Sequence, residues 1–281
     1  MKLLKLVLVV ALMLLVMPQA MAYTIDGDLS DWGVDLTGDW SSNDTWVPNP
    51  GVRFVVEDNY DSDLAPYSSY IGVHITGVSP TYSYYDEPYQ EPMGEELYDI
   101  EAMYVDENST HIFVALVVSM ESWAIGDLAL NLDADSLTGG YGYEYGVKLN
   151  THDGGILYGI YSTPSNDCWT QPIRHPNIKS PSKVDINNAT YTGVNAIGAW
   201  RDTGITDYGR TNWVIELAIP KTAVGMAVGQ SLYDAPLPKV IWMSEPCGNE
   251  TINIPIPEFM VLLIPVGLLL GVIFLKARSK T

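Results

Sequence analysis

The sequence predicts an all-β fold, a two-sheet antiparallel β-sandwich of jelly-roll type. Three observations carry that reading. Short apolar runs recur between clusters of Gly, Pro, Asn and Asp. Several of these runs alternate apolar and polar residues with a period of two, as a strand with one buried face requires. No long stripe of period 3.6 appears to mark an amphipathic helix.

The elements follow in order. Apolar runs predict strands near Val52–Glu57, Tyr70–Ile75 and Tyr98–Val105. Ile112 to Val118 is apolar without a break, which suits a central strand covered on both faces. Leu128, Leu130 and Leu132 alternate with Asp127, Ala129 and Asn131. Tyr143, Tyr145, Val147 and Leu149 alternate with Glu144, Gly146 and Lys148. A further strand fits Gly155–Tyr161. Trp213, Ile215, Leu217 and Ile219 form the inward set of another, which Pro220 ends. Val240–Met243 is the last. About ten strands in the body suit two packed sheets with long loops. No linker or internal repeat divides that body.

The two ends read as addresses. Lys2 and Lys5, the apolar Leu6–Met17 and the small residues of Ala20-Met21-Ala22 form a secretory signal over residues 1–22, with cleavage before Tyr23. At the other end, Phe259 to Leu275 is an apolar run of 17 residues closed by Lys276, Arg278 and Lys280. A helix of that length covers roughly 26 Å of a ~30 Å hydrocarbon core. The basic tail orients it with the body outside. The organisation is therefore a signal peptide at 1–22, an ectodomain at 23–253 and a tail at 254–281.

Charge separates the possible partners. The chain of 281 residues carries a formal net charge of −20. Once both ends are set aside the body approaches −24, with nine basic residues against 33 acidic ones. Such a surface repels phosphate backbones and anionic lipid and attracts divalent cations. No nucleic-acid partner is expected. Cys168 and Cys247 could pair in an oxidising exterior, though spacing alone does not establish it. Asn-x-Ser/Thr sequons stand at Asn43, Asn108, Asn188 and Asn249, which makes surface N-glycosylation an expectation.

Candidate chemistry is sparse. Asp133, Asp135 and Glu144 flank a Gly-containing turn in an expected hairpin, where carboxylates and carbonyls could hold Ca²⁺. The competing reading is a turn with solvated carboxylates. Asp99 and Glu101 share a strand face and could form a cation site or a glycosidase-type carboxylate pair, with Glu216 a further acid. The preferred reading of all three is a charged outer strand face. Tyr82, Tyr84, Tyr85 and Tyr89 in a Pro-rich loop, with Trp40 and Trp46 in another, are candidate sugar contacts through ring stacking. Alternatively, they pin their loops to the sheets. There is no Cys-x-x-Cys-His, no Gly-x-Ser-x-Gly and no Gly-rich loop with Lys. Neither haem nor nucleotide is expected, and no catalytic residue is assigned.

Two resemblances sharpen these expectations. Pro257-Glu258-Phe259, the apolar run and the basic end together resemble the PEF-CTERM sorting signal of archaeal surface proteins. That likeness implies processing by an archaeosortase, with lipid attachment and display on the outer face of the membrane. A plain single-pass anchor is the other reading. Ile25-Asp26-Gly27-Asp28-Leu29-Ser30-Asp31-Trp32, the strand at His111–Val118 and the run Trp213 to Pro220 resemble the family-nine carbohydrate-binding modules and the wider DOMON-like group. This second likeness implies a sandwich and a non-catalytic glycan-binding role. A structural surface-layer component is the alternative, with a glycan-active enzyme or a b-type haem domain behind it. Haem in such domains takes Met with His or Lys, which brings His74, His111, Met93 and Met103 into view. Relatives often carry Asp-x-Asp-x-Asp/Asn in the hairpin, and Leu137 stands at the fifth position here.

Overall fold

The computed structural model describes residues 23–37, 46–56, 100–170, 181–207, 210–233, 239–244 and 251–256. Among them every regular element is a strand or a short 3-10 turn. The strands are β1 (Arg53–Val56), β2 (Ala102–Glu107), β3 (His111–Val118), β4 (Leu128–Asn131), β5 (Tyr145–Val147), β6 (Gly159–Ser162), β7 (Trp169–Thr170), β8 (Lys183–Val184), β9 (Thr190–Asn195), β10 (Ile197–Asp207), β11 (Arg210–Pro220), β12 (Lys239–Ser244) and β13 (Thr251–Ile256).

All pairing among the described strands is antiparallel. A five-stranded sheet runs β1-β2-β3-β11-β10, a six-stranded sheet runs β13-β12-β4-β5-β6-β9, and β7 pairs with β8. In the five-stranded sheet β3 is central, with Leu116 opposite both Met103 of β2 and Ile215 of β11. Its side chains divide strictly by parity. Ile112, Val114, Leu116 and Val118 enter the main core with Leu128, Leu130, Val147, Ile160, Ile241 and Met243 of the six-stranded sheet. Phe113, Ala115 and Val117 enter a second core on the opposite face. The unbroken apolar run thus reflects burial on both sides.

The second core is closed by the first described residues. Tyr23, Leu29, Trp32 and Val34 lie over β1, β2, β3 and β11, joined by Trp46 and Val52. The Tyr23 ring stacks on Trp32 at 4.0 Å between centroids, and its hydroxyl donates to Asp106 Oδ2 at 2.6 Å. Gly27 serves this strap through its backbone. Its φ of +78° favours glycine, and a Cβ there would meet Arg201 Cβ at 2.4 Å.

The outer face of the six-stranded sheet carries a third, smaller cluster of Ala129, Tyr161, Cys168, Trp169 and Val184, which β7 and β8 help to form. Gly126, just before β4, has a different reason to be glycine. A Cβ at that position would lie 1.7 Å from the Ser244 carbonyl oxygen.

Candidate functional site

The β4–β5 hairpin brings Asp133 and Glu144 together around one hydroxyl. Thr138 Oγ1 lies 2.6 Å from Asp133 Oδ2, 3.1 Å from Glu144 Oε1 and 3.1 Å from the Asp135 carbonyl, with one proton to share. Asp135 serves the backbone instead, since its Oδ1 accepts from Leu137 N at 2.9 Å. Asp133 Oδ1 likewise accepts from Asp135 N at 2.8 Å. Such short-range bonds are what Asp supplies in turns. Glu144 Oε2 accepts from Leu132 N at 2.8 Å. Burial raises the Glu144 pKa from 4.5 to about 7, opposed by that backbone bond and reinforced by the negative charge of Asp133. Among the described residues, no three or more His, Cys, Asp or Glu side chains gather into a set that could hold a metal ion.

Of the other candidate acids, Glu101 and Glu216 lie inside the protein rather than on an outer strand face. Glu216 is fully buried. Its Oε2 accepts from Asp26 N at 3.0 Å and Gly27 N at 2.6 Å, and its Oε1 accepts from Trp32 Nε1 at 2.8 Å. Residues from the Ile-Asp-Gly…Asp-Trp opening and the Glu of the Trp213–Pro220 strand therefore meet in one clamp. The carboxylate organises the strap, and its oxygens are committed to protein donors. Glu101 is also fully buried, while Asp99 falls outside the described residues.

Trp46 is corrected from a sugar contact to a core residue. It is 1 % exposed in the second core, and its carbonyl accepts from the Tyr104 hydroxyl at 3.1 Å. Trp40, Tyr82, Tyr84, Tyr85 and Tyr89 lie outside the described residues, as do Asn43, Asn249, Cys247, the signal at 1–22, and Pro257, Glu258, Phe259 and the apolar run after them. Cys168 is a buried free thiol, 3.4 Å from the Asn188 carbonyl oxygen. Of the sequons, Asn108 is half-buried and caps the β2–β3 turn through Oδ1, which accepts from Thr110 N and His111 N, each at 2.8 Å. Asn188 is exposed, and its Nδ2 donates to Asp185 Oδ2 at 2.9 Å and Asp167 O at 3.1 Å. Met103 enters the main core while His111 lies near Phe113 on the opposite face of the sheet, so the two do not converge on one ligand.

The structure adds an aromatic that sequence reasoning missed. Trp123, in the loop between β3 and β4, is 45 % exposed, whereas Trp32 and Trp169 are buried. Its ring is held from one edge, where Nε1 donates to Glu121 Oε2 at 3.0 Å. The loop is fixed from beneath by buried Asn150, whose Nδ2 donates to the Trp123 carbonyl at 3.1 Å and the Ile125 carbonyl at 2.7 Å. The available signal was a Trp directly after polar Glu121 and Ser122, outside any alternating run.

Two buried ion pairs were also missed. Lys148 Nζ lies 2.9 Å from Asp127 Oδ2 and 2.9 Å from Asp153 Oδ1. Asp127 Oδ1 accepts from Leu149 N at 2.7 Å and Asn150 N at 2.8 Å, while Oδ2 accepts from Val184 N at 2.8 Å. Burial raises the Asp127 pKa against the pull of Lys148 and these donors. Burial also works to lower the Lys148 pKa, but the two carboxylates outweigh it and hold it above its ordinary value. In the second pair, Lys221 Nζ lies 2.7 Å from Glu107 Oε2, and that oxygen also accepts from Leu232 N at 2.8 Å.

No family model and no curated protein matches this chain.

Proposed function

We propose that this is an exported cell-surface protein whose body binds a glycan without acting on it chemically, held at the membrane by its C-terminal tail. The observation that carries the glycan reading is Trp123, a ring presented to solvent on a loop that buried Asn150 locks in place. A fixed, exposed aromatic stacks on the apolar face of a sugar ring at little cost in conformational entropy. The resemblance to DOMON-like, family-nine-type modules supports the same reading. A two-sheet sandwich of that kind accounts for the single core to which both larger sheets contribute. In this reading the PEF-type tail is processed by an archaeosortase-type enzyme, and a calcium ion at Asp133 and Glu144 would staple the hairpin.

A second reading, a structural surface-layer component, is favoured by exposed apolar side chains at neighbouring sheet edges. Tyr191 and Val194 of β9 and Ile197 of β10 are all open to solvent.

The test is a polysaccharide-binding screen of the exported protein, with calcium and with chelator. Saturable binding that Trp123→Ala abolishes, without a change in melting temperature, is the expected result. Binding that survives Trp123→Ala but is lost on Tyr→Ala changes at 82–89 would move the site to that loop. A folded sample that binds no polymer yet assembles in sedimentation would overturn the glycan reading for the structural one.

A further inference from the structure

Asp127 and Lys148 directly extend the β4–β5 ladder, whose final pair is Leu128 opposite Val147. Their side chains meet across the two strands with 0 % exposure on either. The contact is ordered by its neighbours, and Val184 N also donates to Asp127 Oδ2 at 2.8 Å. Lys148 Nζ lies 2.9 Å from Asp127 Oδ2. Asp127 Oδ1 sits between two successive backbone donors, Leu149 N and Asn150 N. A second carboxylate, Asp153, lies 2.9 Å from the same Nζ and is 33 % exposed.

We propose that Lys148 and Asp127 become joined by an intramolecular isopeptide bond between Nζ and Cγ. The two carboxylates favour the ammonium at rest, but low-dielectric burial penalises the charged pair, so a minor neutral form, an amine beside a carboxylic acid, is the reacting species. Proton transfer from Nζ to Oδ2 needs only the existing hydrogen bond. The amine lone pair then attacks Cγ, the carbon bearing the oxygen that Nζ already contacts, so the step is intramolecular. Negative charge collects on Oδ1, where the Leu149 and Asn150 N–H groups already point, as in an oxyanion hole. The Asp153 carboxylate takes a proton from Nζ and delivers it to the Oδ2 hydroxyl, which leaves as water. The balance closes without a further reactant: one ammonium and one carboxylate give one secondary amide and one water. Asp153 ends as it began, and its partial exposure gives the water a way out.

The Glu107–Lys221 pair provides an internal comparison. It is equally close, but neither Glu107 oxygen has two successive backbone donors, and no second carboxylate stands at Lys221 Nζ among the bonds of that network. It should remain an ordinary ion pair.

The experiment is mass spectrometry of the full protein after denaturation and proteolysis, read on fragments containing residues 127 and 148, so that processing at the termini does not enter. The expected mass is lower by about 18 Da, one water, with fragmentation joining the two residues and Nζ of Lys148 inert to amine reagents. Lys148→Arg, which keeps the charge, should restore the full mass, and Asp153→Asn should leave a fraction unlinked. The wild-type measurement decides the matter even if a variant fails to fold. A folded wild-type sample with full mass, whose Lys148 takes an amine label once denatured, overturns the proposal.

Discussion

Replacing Glu144 by Gln should remove a component of instability that grows as pH rises. The folded protein holds this carboxyl near 7 rather than 4.5, chiefly through burial. Between those values the folded state binds more protons at this group than the unfolded chain does. The stabilising contribution is therefore fully present below pH 4.5 and lost as pH rises through about 7. At 1.36 kcal/mol per pH unit the difference corresponds to about 3.4 kcal/mol, which partial exposure of the group reduces to about 1.5 kcal/mol. For a body of this size that is a melting shift of roughly 3–6 °C. Gln keeps an acceptor for Leu132 N but carries no charge toward Asp133. Thermal melts at pH 5 and pH 8.5 should therefore diverge, with Glu144→Gln gaining on the wild type only at the higher pH. Parallel melts at both values would refute the argument. Calcium supplies an independent arm. If it binds at Asp133 and Glu144, millimolar calcium at pH 8.5 should raise the wild-type melting temperature and leave the variant unchanged.

Three further expectations come from the buried polar groups. Glu216→Ala leaves Asp26 N, Gly27 N and Trp32 Nε1 without their acceptor, and should cost about 3–5 kcal/mol in denaturant unfolding. A loss under about 1 kcal/mol would show that the strap contributes little. Lys221→Met leaves Glu107 buried without its cation and should cost about 3–5 kcal/mol, partly recovered in the Glu107→Gln double variant. Cys168, a buried free thiol, should react with a thiol reagent only after unfolding. A thiol that stays unreactive in denaturant until a reductant is added would show instead that it is paired.

Much of the fold was legible because local patterning and burial agree. The run at 112–118 and the alternation at 213–219 became β3 and β11, neighbours at the centre of one sheet. β9 and β10 were not legible. Thr190–Asn195 is polar and almost wholly exposed, so it has no buried face to mark it, and β10 is interrupted by Gly198 and Gly204. The candidate acids were misplaced for a different reason. A carboxylate in sequence looks solvated unless its donors can be seen, and those of Glu216 lie 184–190 residues away. Trp46 was misread because a loop Trp surrounded by Asn and Pro looks the same whether it faces inward or outward. The hairpin carboxylates were found because Asp133 and Glu144 are close both in sequence and in space.

The strap also bears on when the protein can fold. A chain is made N-terminus first, so Tyr23 to Val34 emerge before any of the strands they cover. Their principal anchor, Glu216, is among the last third of the residues to appear. Until β11 arrives, β3 lacks a neighbour on one side and the second core lacks part of its floor. Contacts of such long range close slowly, because chain entropy is spent before they form. The emerging polypeptide should therefore remain open until nearly complete, and exposed to proteolysis if elongation stalls.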